Sequence, residues 1–355
     1  MSRRRLPQQP MLRHLTVAVA AGVVLYLLTI NLSDYNNLLV GEIASYVVVL
    51  GGLSVLTGVN GQISLGHGAF MAVGAYTEGL LMTHTGSNFL LELLAATGAA
   101  ALVGLIIGLP ATRLKGPYLA GMTLLLALAL PPIADKWPNT FGGDQGLTVA
   151  PPVAPGSLST EEWQAWIQIG VALVVLVLLA NLLRSRYGRA MRAVRDDEIA
   201  ASLSGIHVAR TKVLAFVISA GCAGLGGALF ALSVSVVSTG EFPLTLSIQL
   251  LAAMVLGGTG TLIGMLWGGI LLVYLPQWST SLSGRFNLGS GANAYLATII
   301  FGAVLIVAML AAPEGIQGGL RALWRHVLRL RAGRPNRPDG GSGAPAGLEM
   351  AAPSD

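Results

Sequence analysis

The chain has 355 residues, of which 54% are hydrophobic and 10% charged, with a formal net charge of +5. Its mean hydropathy is +0.70. Soluble domains carry about 25% charged residues, so this balance excludes a soluble globular protein and points to a multi-pass membrane chain. Apolar runs long enough to cross a bilayer as helices recur along its length. Runs such as "VALVVLVLLANLL" (171–183) do not alternate as the strands of a membrane barrel would. The basic pI of 9.6 does not point to nucleic acid, because the cations sit between and beyond the apolar runs.

Residues 1–14 form a basic, cytoplasmic amino-terminal segment. The apolar run at 15–31 lacks a small-residue cleavage site and is followed by further runs, so it reads as an uncleaved first span. Further spans are expected at 36–57, 65–84, 88–110, 117–136, 163–183, 213–237, 246–280 and 293–312. Of the 21 Lys and Arg, four lie in 1–13, two are Arg113 and Lys115, seven lie in 184–212 and six in 313–337. The positive-inside rule places all four groups in the cytoplasm. Counting crossings between them works except after Lys212, where the 35-residue run 246–280 must supply two crossings or a re-entrant hairpin. The expected fold is all-α, with about ten transmembrane helices (or eight plus the hairpin) and both termini cytoplasmic. The transmembrane domain is 15–312, with an external loop at 137–162 and a cytoplasmic loop at 184–212. The tail 313–355 is rich in Pro, Gly, Ala and Ser from about 332 and should be disordered there.

Most of the 46 glycines suit close helix packing in lipid, and the single cysteine, Cys222, lies on such a small-residue face. The stretch "NGQISLGHGAF" (60–70) is different. Asn60, Gly61, Gln62, Ser64, Gly66 and His67 interrupt two apolar runs. Irregular polar backbone at membrane depth persists only where protein buries it or water wets it. The stretch therefore lines a translocation path, forms a tight polar helix junction, or is a polar turn at the membrane interface. A second break, "LGGTGTLIG" (256–264) with Gly257, Gly258 and Gly260, holds a comparable place later in the chain, as paired breaks in transporters do. Glu42, Glu78 and Glu92 fall toward the outer ends of their spans and are expected to reach the headgroups.

In the cytoplasmic loop, Arg186, Arg189, Arg192 and Arg195 recur every three residues and so fall near one helix face. A basic juxtamembrane helix would bind anionic lipid, but that leaves "EIAASLSG" (198–205) unexplained. This segment resembles the coupling loop of ABC importer permeases. More specifically, the chain resembles the branched-chain amino-acid permease family, of the leucine–isoleucine–valine type. The resemblance is carried by "GLSVLTGVNGQISLGHGAFMAVGAY" (52–76), "RLKGPYLAGMTL" (113–124), "RYGRAMRAVRDDEIAASLSGIHVARTKVLAF" (186–216), "SAGCAGLGGALFA" (219–231), "VLGGTGTLIGMLWGG" (255–269) and "APEGIQGGL" (312–320). Two places depart from the family pattern: "LLLALALPP" (124–132) lacks an acidic residue, and Gln249 stands where the family often has Glu.

The resemblance implies a type II-like importer permease in the bacterial cytoplasmic membrane. It implies a second homologous permease, two ATP-binding subunits and an external substrate-binding protein as partners. It implies that ATP and Mg are held by those partners, with no cofactor or metal on this chain. Arg189, Arg192, Arg195 and Glu198 would then contact the ATPase, and Ala200, Ala201 and Gly205 would allow its close approach. No G-x-x-x-x-G-K-[ST] phosphate loop occurs. An importer of urea or short amides is an alternative within the family. A self-sufficient channel or secondary transporter, which would tolerate replacement of the loop, is the alternative outside it. A membrane enzyme is disfavoured by the lack of a metal-ligand set or a paired nucleophile and base.

Overall fold

The structure is a computed structural model. It describes residues 10–284 except 31, 86, 87, 115 and 157, together with scattered positions between 296 and 324. The segment before residue 10, most of the expected span at 293–312 and the tail after 324 lie outside the described residues.

Helix α1 spans Pro10–Thr29 and α2 spans Asp34–Leu53. The latter continues into a π-helical turn, Ser54–Val59. Next come α3 (His67–Thr85), α4 (Phe89–Ala111), α5 (Pro117–Lys136) and the short α6 (Pro138–Phe141). After β1 (Leu147–Thr148) the chain enters α7 (Thr160–Arg184). The loop 184–212 folds as α8 (Arg186–Asp196) and α9 (Glu198–Leu203). Helix α10 (Val208–Val234), β2 (Val236–Val237), α11 (Leu244–Gly258) and α12 (Leu262–Gly284) follow.

Local chemistry sets several boundaries. Pro117 opens α5 at a position where its missing N–H costs nothing. Asn88 caps α4 by accepting from the Leu90 N–H, and Ser159 caps α7 by accepting from Glu162. Seven helical segments among the described residues are long and apolar enough to cross a membrane: Asp34–Val59, α4, most of α5, α7, α10, Thr239–Gly258 and Leu262–Leu282. The run 246–280 thus resolves into α11 and α12. A turn at Gly258–Thr261 joins them, with the Thr261 Oγ1 donating to the Gly258 carbonyl at 2.9 Å.

Helix α10 is the hub, packed along α2, α3 and α4. Small residues let the backbones approach. A methyl group on Gly74 of α3 would strike the Gly224 carbonyl of α10, and one on Gly227 would strike the Met71 carbonyl. Such close approach is how helices associate in lipid, where no hydrophobic drive exists between them. Cys222 is half-buried, against Gly52 of α2. The all-helical expectation needs one small correction. β1 and β2 pair antiparallel, Leu147 with Val237 and Thr148 with Val236. This ribbon fastens the 137–162 loop to the carboxyl end of α10, and the Val149 N–H adds a bond to the Ser235 carbonyl at 2.8 Å.

Candidate functional site

The first break begins where α2 widens into the π turn. The Asn60 N–H donates to the Val55 carbonyl at 3.0 Å and the Gln62 N–H to the Leu56 carbonyl at 3.1 Å. Gly61 then reverses the chain at φ +78°, and a side chain there would press on the Arg195 Cγ at 2.7 Å. Asn60, Gln62, Ser64 and His67 are all buried. His67 starts α3 and is 1% exposed. Its Nδ1 lies 3.0 Å from the Ser64 Oγ and its Nε2 lies 2.7 Å from the Ser219 Oγ in α10. The Leu65 N–H donates to the Thr123 Oγ1 of α5 at 2.9 Å, and the Gly68 N–H to the Ser247 Oγ of α11 at 3.0 Å. Three residues within 65–68, Leu65, His67 and Gly68, therefore join α5, α10 and α11 at the mouth of α3. Within the same break, the Ser54 Oγ, both amide atoms of Asn60 and the Gln62 Oε1 are buried without a hydrogen-bond partner among the described residues.

The second break touches the first. A methyl group on Gly58 would sit 2.5 Å from the Gly260 nitrogen and 2.9 Å from its Cα. Gly258 meets Gly315, where an added Cβ would lie 2.6 Å from the Gly258 Cα. Gly257 packs on the Gly264 carbonyl across the α11–α12 turn.

The loop 184–212 lies beside this junction. In α8, Gly188, Met191 and Val194 turn inward, and the arginines take the other face. Their work is at helix ends. Arg189 donates to the Arg184 carbonyl at 3.2 Å and Arg192 to the Leu183 carbonyl at 2.6 Å, which satisfies carbonyls that α7 leaves open. Arg195 donates from Nη1 to the Gly58 carbonyl at 2.9 Å and pairs with Asp196 at 3.0 Å. Asp197 caps α9 by accepting from Ile199 at 2.7 Å and from Ala200 at 3.1 Å. Glu198 accepts from Lys212 at 2.6 Å, in the second turn of α10. Ala201 is buried in the chain, whereas Ala200 is exposed. Gly205, at φ +81°, ends α9: its N–H donates to Ser202 while Ile206 donates to Ala201. That pattern is a Schellman closure. Among the described residues, no atom beyond its own chain neighbours lies within 4 Å of the position a Gly205 side chain would take. Ile199 and Leu203 project outward at 73% and 84% exposure. A cavity of about 420 Å³ lies between loop and break, with Asn60, Gln62, Arg195, Glu198 and Lys212 in its wall.

A family model described as "Branched-chain amino acid transport system / permease component" matches residues 37–309. The chain belongs to this family of branched-chain amino acid transport permeases. The permease is 33% identical over 314 residues to the "High-affinity branched-chain amino acid transport system permease protein LivM" of Salmonella typhimurium, which covers 81% of this chain and 70% of the relative. It is 33% identical over 313 residues to LivM of Escherichia coli, with the same coverage. Its identity to the high-affinity permease protein BraD of Pseudomonas aeruginosa is 27% over 300 residues, covering 80% of this chain and 94% of that one. Among solved structures, PsaBC from Streptococcus pneumoniae in complex with Fab aligns at 17% identity and a TM-score of 0.42, over 84% of this chain and 99% of that one. That likeness is too distant to bear on the fold.

The permease is a multi-pass membrane protein, and one expectation about its charges is corrected. Glu78 and Glu92 do not reach an interface, since they are 0% and 2% exposed. The cause is the close approach of α3, α4 and α10 through Gly74, Ala96 and Gly224, one helical turn along from Glu78 and Glu92. Glu42 is partly exposed. Sequence reasoning also missed Thr123, Ser219 and Ser247, the hydroxyls that hold the mouth of α3. Their only signal was a hydroxyl in an apolar span. It missed Lys212 as the partner of Glu198.

Proposed function

We propose that this permease is the membrane subunit of an ATP-driven importer of branched-chain and other hydrophobic amino acids. It pairs with a second homologous permease and sits on two ATP-binding subunits in the inner membrane. An external binding protein delivers the substrate. ATP and Mg belong to the partners, and this chain has no ATPase site of its own. Ten helices cross the membrane, with both termini cytoplasmic. The names of the relatives support the substrate class.

One observation carries the coupling role. In a polar cytoplasmic loop, a capped six-residue helix presents Ile199 and Leu203 almost fully to solvent. Large apolar side chains held in this way on a rigid turn await burial by a partner. The break at 54–62 is the element that rearranges during transport. Its unpartnered buried polar atoms each cost about 1–3 kcal/mol, and a second state in which they find partners offsets that cost.

The test is purification from native membranes in mild detergent, then reconstitution. Recovery of a second permease and two ATP-binding proteins, with ATP-dependent uptake of leucine, is the expected result. ATP-dependent uptake of urea but not leucine would overturn the substrate assignment. Transport by this chain alone without ATP would overturn the importer reading.

A further inference from the structure

Lys212 is almost withdrawn from water, with a side chain 6% exposed against 35% for its partner Glu198. A buried ammonium is tolerated only when it is paired, so the 2.6 Å contact to Glu198 is a condition for the foot of α10 to pack as it does. The same contact closes the chain reversal that Gly205 begins. Helix α9 is thereby held to α10 by the ion pair, while the Ile206 N–H to Ala201 carbonyl bond closes the turn between them.

Helix α10 carries Ser219 seven residues after Lys212. That is two turns along one face, about 10 Å. Ser219 contacts His67 at 2.7 Å, and His67 opens α3. On the other side, Arg195 links α8 to the Gly58 carbonyl. Both ends of the loop are therefore bonded to the α2–α3 break, one directly and one through α10.

We propose that Lys212 is a positioning residue for transport: its pair with Glu198 makes α9 and α10 one rigid lever, so that a push on α9 reaches the His67 junction instead of being absorbed in the loop. Glu198 then acts within this chain, and the partner-facing groups of α9 are Ile199 and Leu203. This inference rests on the reading of 184–212 as the coupling loop.

The test uses the complete reconstituted importer, with leucine uptake and ATP hydrolysis measured side by side. Lys212→Met should lower the leucine moved per ATP hydrolysed by about tenfold or more, the factor that corresponds to loss of one strong interaction, while the ATP-binding subunits still co-purify. Lys212→Arg should stay within about threefold of the native ratio, because it keeps the charge and reach. Glu198→Lys should uncouple, and the exchange Glu198→Lys with Lys212→Glu should recover most of the loss. A native ratio in Lys212→Met would overturn the lever. So would an exchanged pair no better than Glu198→Lys alone, because Glu198 would then act on a partner. If Lys212→Met does not insert, Lys212→Arg and the exchanged pair decide the matter. An unaltered complex that hydrolyses ATP without moving leucine would overturn the importer reading, and the lever with it.

Discussion

Arg195 and Gly58, 137 residues apart in the chain, meet through a 2.9 Å hydrogen bond from the guanidinium to the backbone carbonyl. The contact joins helix α8 to the π turn that ends α2. Such turns lack a regular partner for some backbone groups and recur at functional sites.

Removing this link has a modest cost, because Arg195 is partly exposed. Arg195→Ala is expected to destabilise the permease by about 1 kcal/mol and to lower its melting temperature in detergent by a few degrees. Fluorescence-detected thermal unfolding measures this. Arg195→Lys should recover only part of the loss, since one ammonium cannot serve Gly58 and Asp196 as the planar fork does.

Gly58→Ala has a larger effect. Its new methyl group would meet Gly260 backbone at 2.5 Å, and backbone cannot rotate away. Overpacking of this kind costs about 1–3 kcal/mol. Gly260→Ala places a side chain at φ +72°, at a cost of about 1–2 kcal/mol. Both variants should lose most uptake, whereas Gly121→Ala, with open space around it, should behave as native. Uptake normalised to the amount of inserted protein separates the three.

His67 bridges two hydroxyls, so its removal leaves both without it. His67→Phe should destabilise by about 2–4 kcal/mol, from two buried hydroxyls each short of a partner. Ser219→Ala alone should cost less. The double variant His67→Phe/Ser219→Ala should cost less than the sum of the two, as expected for groups in one network. Thermal unfolding of the four proteins tests this, and strict additivity would remove His67 from its bridging role.

Gly205→Ala tests the chain reversal after α9. At φ +81° a Cβ costs about 1–2 kcal/mol, with no neighbour to strike. The expected loss is therefore confined to the loop: reduced uptake with a melting temperature near native. Gly205→Asn should be milder, because Asn tolerates the left-handed region. A native uptake rate in Gly205→Ala would show that the reversal has slack.

The spans were the most legible part of the sequence. Expected 88–110, 117–136 and 163–183 stand beside Phe89–Ala111, Pro117–Lys136 and Thr160–Arg184. Lipid imposes length and apolarity directly, so composition marks the ends. The break at 60–66 and the end of α9 at Gly205 were visible for the same kind of reason, because Gly and polar residues interrupt an apolar text. What stayed hidden depends on approach between distant segments. A π turn has the same apolar pattern as an α turn, so nothing marked Ser54–Val59. Arginines every three residues show a helix face but not the Leu183, Arg184 and Gly58 carbonyls they reach. Glu78 and Glu92 looked interfacial, because burial there is decided by how tightly Gly74 and Gly224 let α3, α4 and α10 close.

The meeting of Gly58 with Gly260 constrains how this sequence can drift. Where two side chains touch, growth in one can be matched by shrinkage in the other. Here both partners are already at the minimum, and their contact is main chain on main chain. No substitution at Gly260 can make room for a larger residue at Gly58, or the reverse. A paired mutational scan of the two positions should yield no suppressor at the contact itself. Any second-site rescue must instead come from residues that move α11 away from α2 as a whole.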